Sequence, residues 1–152
     1  MREILFKGKR KDDGEWVEGF LFDDGLVDSK RWFIGSIEVI DAKYDVDNCL
    51  DIYGHCIYEV IPETVCQYTE LKDKYGEKIF EGDIVKIKFR EGRVGSLEKE
   101  YNYVVRYDGS QASFEFEGHD ELLGCPCLVQ QNQHTFEVIG TIFDNPELLE
   151  VK

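Results

Sequence analysis

Glu115 and Glu117 alternate with Phe114 and Phe116 in "SFEFEGHDE", and Asp120 and Glu121 follow closely. Residues two apart on a strand share a face, so these carboxylates could hold a divalent ion or divide acid and base roles. The ordinary reading is stronger: a strand with one buried and one wet face alternates in this way. Pro62-Glu63 followed by Glu70-Leu71-Lys72 resembles the acidic-x-Lys arrangement in which carboxylates bind Mg²⁺ and the lysine supports an attacking water. Such a pattern arises by chance in a chain that is 33% charged, and we read it as coincidence. Cys125-Pro126-Cys127 is the one close cysteine pair, and His119, His134 and the distant His55-Cys56 do not complete a zinc spacing around it. Gly92 to Ser96 lacks the Gly-Lys-Ser/Thr ending of a phosphate loop. We therefore assign no catalytic, cofactor-binding or metal residue. Glu115, Glu117, Asp120 and Glu121 stand as a candidate partner-binding acidic face.

The elements that would position these residues have the period of strands. The apolar residues of "EWVEGFLFDDGLV" have Asp13-Gly14 and Asp24-Gly25 on either side, and Asp-Gly between apolar runs is a strong hairpin signal. "RWFIGSIEVID" reads as a strand interrupted at Gly35, and "YNYVVRYDGSQASFEFEG" as a hairpin around Asp108-Gly109. In "IVKIKF", Ile84 and Lys86 fall on one face, with Val85, Ile87 and Phe89 on the other. "ELKDKYGEKIF" predicts a hairpin turning at Tyr75-Gly76, and "EGDIV" a tight reversal at Gly82-Asp83. "HTFEVIGTIFD" closes the series of strands. Helix is expected only as a turn in "HDELLG" and in "NPELLEV", where Asp144 or Asn145 can cap and Pro146 suits the first position. A loop is expected over residues 90–102. Trp16, Trp32 and the many Tyr and Phe are expected in the core, although aromatics left exposed could bind a peptide.

These signals predict a mainly β protein: a small SH3-like barrel built from hairpins, with additional N-terminal strands and a short C-terminal helix. A length of 152 residues suits a single domain, with a two-lobe division near 44–60 as the alternative. The formal charge of −14 is unevenly spread, and no Lys or Arg occurs from residue 107 to residue 151. A surface so negative repels nucleic-acid backbones and anionic lipid, which disfavours direct nucleic-acid binding. No apolar run approaches the roughly 20 residues that span a bilayer. The five cysteines are odd in number and scattered, so no disulfide framework is implied, and the expected setting is cytoplasmic.

Three stretches carry a family resemblance. "REILFKGKRKDDGEWVEG" (2–19), "VIPETVCQYTELKDKYGEKIFEGDIVKI" (60–87) and "FEVIGTIFDNPELL" (136–149) occur in the order found in the YopX family, small proteins encoded by bacteriophages and prophages. The resemblance spans nearly the whole chain, although residues 90 to 130 match nothing in the pattern. Cys66 and Glu70 stand where the family usually has Gly. The resemblance implies a phage or prophage protein of β-barrel character and transfers no catalytic residue and no cofactor. The leading expectation is a non-catalytic module that binds a host or phage protein, or assembles with itself. The alternatives are an acidic inhibitor of a host nucleic-acid-binding protein and, last, an unrecognised metal-dependent hydrolase.

Overall fold

The structure is a computed structural model that describes residues 3–44, 50–90, 98–118 and 136–149, with side chains outside 36–55, 89–90 and 98–99. Among the described residues ten strands form: β1 (Phe6–Lys9), β2 (Trp16–Asp23), β3 (Trp32–Tyr44), β4 (Leu50–Val60), β5 (Cys66–Lys72), β6 (Lys78–Phe80), β7 (Asp83–Arg90), β8 (Glu98–Asp108), β9 (Ser113–Glu117) and β10 (Phe136–Thr141). They make two antiparallel sheets, ordered β4-β3-β2-β1-β5-β6 and β10-β7-β8-β9. The mainly β expectation holds. The described strands form these two sheets rather than the closed barrel that was expected. The chain groups into two compact units whose boundary lies inside β5, between Gln67 and Tyr68.

In the first unit, hairpins follow the Asp-Gly signals, with Gly14 and Gly25 at φ +77° and +71°. Gly35 does not interrupt β3, because it pairs with Phe20 on one side and Ile57 on the other. The buried face is narrow: Gly8 is buried, and a Cβ there would come within 3.1 Å of Ile34 Cδ1 and 3.4 Å of Val60 Cβ. Ile34 and Val60 are almost fully buried. An isolated bridge between Arg10 and Val60 and the Thr64 hydroxyl, which accepts the Lys9 N–H at 2.9 Å, tie the end of β4 to β1.

The second unit has the larger aromatic core. Val85 and Ile87 point inward, as their alternation predicts, and pack with Ile79, Tyr103, Val105, Phe114, Phe116 and Phe136. Phe116 and Phe136 meet edge to face at 5.0 Å between centroids. Ile84, on the opposite face, is also buried. The turn at 108–112 takes its positive φ at Ala112 (+52°) and not at Gly109, while the Asp108 carboxylate accepts the Ser110 N–H. β7 runs to Arg90 and β8 begins at Glu98, so residues 90 and 98–102, expected in a loop, are strand. Within "NPELLEV", where a helix was expected, Pro146–Leu149 form a 3-10 turn, and Glu150 and Val151 lie outside the described residues. With few residues to share it, the cost of nucleating an α-helix is not recovered. "HDELLG" lies outside the described residues.

The 73–83 segment is the most heavily constrained part of this unit. Asp73 is buried, and its Oδ1 accepts the N–H groups of Tyr75 and Glu77 at 2.8 and 3.0 Å. Its Oδ2 accepts the Val138 N–H of β10 at 3.2 Å. One carboxylate thus closes the β5–β6 turn and fastens it to a strand 65 positions later. Lys74 adds a backbone bond to Phe136 O and an ion pair with Glu137 at 2.7 Å. Asp83, 1% exposed, accepts the Phe80 N–H at 2.8 Å and so closes the expected reversal. Gly82, at φ +76°, donates to Val105 O and accepts from Ile142 N–H.

Glu70 also has a positive φ, +67°, where the ladder between β5 and β6 shifts register. A left-handed conformation costs a residue with a Cβ about 1–2 kcal/mol and costs Gly little. The resemblance described above implies Gly at this position. Two outcomes are expected from urea unfolding. Glu70→Gly raises stability by about 1 kcal/mol, the strain relief outweighing the entropy of Gly. Asp73→Ala lowers it by about 2–3 kcal/mol, because three buried or half-buried N–H groups lose a charged acceptor, and Asp73→Asn loses less.

Candidate interaction face

β2 is the origin of the site. Its period of two sends Trp16, Glu18, Phe20 and Phe22 to one face and Val17, Gly19 and Leu21 to the other. Register continues the first face onto β1 as Lys9 and Lys7, and onto β3 and β4 as Phe33–Glu59 and Gly35–Ile57. Phe20 is 56% exposed, Phe22 40% and Ile57 46%. Phe22 stacks on Phe33 with centroids 5.7 Å apart. Gly35 leaves a dip beside these rings, since a Cβ there would lie 3.3 Å from both Phe22 Cε1 and Ile57 Cγ1.

The rim is charged and largely tied down. The Lys7 and Lys9 ammonium groups lie 5.0 and 5.5 Å from the Trp16 ring centroid, which suits cation–π attraction. Arg31 sits 5.6 Å from the Phe33 centroid while its Nε donates to Asp24 at 2.8 Å. Lys11 pairs with Glu59 at 2.6 Å, and Lys30 with Asp23 at 3.0 Å. The face therefore has an apolar aromatic centre, a shallow dip and a rim of held charges.

Sequence reasoning assigned these rings to the core. The signal that separates them was present: Gly19 and Leu21 alternate with Phe20 and Phe22, so only one set can face inward. Period alone does not say which set, and the close approach of Gly8 to Ile34 and Val60 settles it.

The residues singled out for chemistry fall elsewhere. Glu115 and Glu117 share a face of β9, as expected, with Glu115 half-buried and Glu117 exposed. Arg106 of β8 lies opposite Glu115 in register and donates to Glu117 at 2.9 Å, so a cation stands within this acidic pair. Asp120, Glu121, Cys125, Cys127, His119, His134 and Gly92 to Ser96 lie outside the described residues. Glu63 is in the 3-10 turn Pro62–Thr64, and Glu70, Leu71 and Lys72 are in β5. Among the described residues, no three His, Cys, Asp or Glu converge as metal ligands. Cys66 is buried and its thiol donates to Thr64 O, whereas Cys56 is exposed. No helix among the described residues is long and apolar enough to cross a membrane.

The loop that borders the face responds to acid. Lys30 hydrogen-bonds Asp23, and Arg31 hydrogen-bonds Asp24, which holds both carboxyls below the usual range in the folded state. Stability from a depressed carboxyl is present above its unfolded pKa of about 3.9 and is lost as pH falls through the folded value. Carbonyl NMR shifts of Asp23 and Asp24 should accordingly titrate below about pH 4, with the 24–31 loop loosening in step. The reverse order, loosening near neutrality, would contradict this assignment.

The fold and this face can be set beside known proteins. No curated protein matches the chain. The crystal structure of protein EF1440 from Enterococcus faecalis is similar, at 25% identity and a TM-score of 0.56, over 99% of this chain and 100% of that one. The family described as YopX protein matches residues 6–150, which is nearly the whole length and overlaps all three stretches that carried the resemblance. The chain belongs to the YopX family.

Proposed function

We propose that this protein is a non-catalytic interaction module, acting in a phage or prophage setting, whose working surface is the aromatic face of β2, β3 and β4. The exposure of Phe20, Phe22 and Ile57 on one continuous face carries this reading. Scattered exposed apolar side chains are ordinary, but a contiguous set with a charged rim is the composition of a protein-binding surface. Aromatic rings supply much of the energy of such contacts because they bury large areas with few rotatable bonds. A cytoplasmic location fits Cys56, a free thiol on the surface.

The acidic-inhibitor reading draws on the absence of Lys and Arg from 107 to 151 and on the exposed Glu117. The Arg106 contact at 2.9 Å makes Glu115 and Glu117 a weaker mimic of a phosphate row than their sequence suggests. Charge reversal at Glu115, Glu117, Asp120 and Glu121 tests it, since a partner held by those groups would be released.

Photo-crosslinking tests the leading reading. A photoreactive residue at position 18, inside the face, should capture a protein (host, phage or second copy), whereas one at position 110 should not. Capture should disappear in Phe20→Ser/Phe22→Ser. Absence of any protein crosslink from position 18 would remove the proposal.

A further inference from the structure

The sequence has three Asp-Gly pairs, Asp13-Gly14, Asp24-Gly25 and Asp108-Gly109, and each lies at or beside a turn. Such a pair can rearrange its own backbone. The glycine nitrogen attacks Cγ of the aspartic acid, a C–N bond forms, and the carboxyl hydroxyl leaves as water with the N–H proton. Water then reopens the succinimide ring at either carbonyl and gives aspartate or isoaspartate. Glycine favours the attack because no side chain shields its nitrogen.

The electrophile is presented alike in all three pairs. Each carboxylate folds back onto the N–H two residues on, that of Glu15 at 3.0 Å, Leu26 at 3.2 Å and Ser110 at 2.8 Å. The nucleophile is not. Gly14 donates its N–H to Arg10 O at 3.0 Å, and Gly25 donates to Asp23 Oδ1 at 2.8 Å, so an attacking nitrogen must first give up that bond. Among the described residues no acceptor takes the Gly109 N–H.

The carboxylates differ as well. Asp13 is held by Arg10 Nη1 at 3.0 Å and Asp24 by Arg31 Nε at 2.8 Å, and each ion pair pins a carboxylate that must turn towards the attacking nitrogen. Asp108 meets neutral groups of Ser110 and Gln111 instead. Ser110 holds the Asp108 carboxyl below the usual range, as Arg31 does for Asp24, so ionisation slows both and does not separate them. We infer that Asp108-Gly109 is a self-modification site, which converts to isoaspartate in the folded chain ahead of the other two pairs.

The product would change the turn. Isoaspartate carries the main chain through Cβ, which adds a backbone carbon between β8 and β9 and moves the carboxylate off the Ser110 N–H. Asp108 pairs with Ser113 in register, and the next pair is Tyr107 with Phe114, edge to face at 5.3 Å between centroids. Conversion therefore loosens this end of the ladder while leaving the net charge unchanged. It also exposes an α-carboxylate of the kind that isoaspartyl methyltransferases esterify, so aged chains become substrates for carboxyl methylation.

Ageing the full chain in warm neutral buffer, folded or in guanidinium chloride, tests the site. Isoaspartate is read peptide by peptide, by enzymatic methyl transfer from S-adenosylmethionine and by mass spectrometry. In the folded chain it should accumulate at 108 about fivefold or more faster than at 13 or 24, the effect of one hydrogen bond on a rate. In denaturant the three sites should converge. Gly109→Val should suppress the signal at 108, and the turn has space for it, since a Cβ on Gly109 meets nothing within 4 Å. Folded chains in which 108 reacts no faster than 13 and 24 would overturn the inference, as would a folded Gly109→Val chain that ages at 108 like the parent. If Gly109→Val does not fold, the comparison of folded with denatured parent chain decides alone.

Discussion

The Asp73 carboxylate is the constraint on which the second unit depends. Three backbone N–H groups, from Tyr75, Glu77 and Val138, converge on its two oxygens. A turn closed by one side chain is a local event, but the third bond makes it tertiary, because β10 is held to the same carboxylate. β10 pairs with β7, and β7 with β8, so the register of the four-stranded sheet and the placement of the β5–β6 turn are settled together. Asp83 repeats the device a few residues later, where its carboxylate and the Gly82 backbone connect β6, β8 and the residues after β10. The buried Asp73 carboxylate is tolerated because it accepts three N–H bonds at once.

The ordered centre of the sequence, 62 to 89, is therefore scaffold with a physical reason for its turn residues and charges. Glu70 departs from that economy. It holds a left-handed backbone that a Gly would adopt freely, and its strain is carried by the surrounding hydrogen bonds, including Thr69 Oγ1, which donates to Ile79 O and accepts from Leu71 N–H. Local strain persists where tertiary contacts overdetermine the backbone. Cys66 is held differently: its thiol is buried and hydrogen-bonded rather than exposed.

The first unit is built on a different balance. Its described interior is narrow, lined by Ile34, Val60 and the bare backbone of Gly8. Rings as large as Phe20 and Phe22 have no room on that side and are presented outward. The packing that holds the strands together and the exposed aromatic face are thus two consequences of one geometry. Paired charges rim that face, Lys11 with Glu59, Lys30 with Asp23 and Arg31 with Asp24.

Alternation and turn chemistry, read from the sequence alone, determined much of this protein: its β class, the hairpins at Asp13-Gly14 and Asp24-Gly25, the reversal at Gly82-Asp83, and the shared face of Glu115 and Glu117. These are local properties, fixed by φ preferences and by the two-residue repeat of a strand. The family was legible for a related reason, since its three stretches are dense in turn residues that few alternatives can replace. What the tertiary structure decided was every question that requires knowing what lies opposite. It settled which side of β2 faces inward, and it placed Arg106 between two glutamates that look uncompensated in sequence. It put the positive φ at Ala112 instead of Gly109, and it gathered strands into two open sheets instead of a closed barrel. Period assigns residues to faces, but only packing between distant segments chooses which face is buried, and the exposed aromatic face follows from that choice.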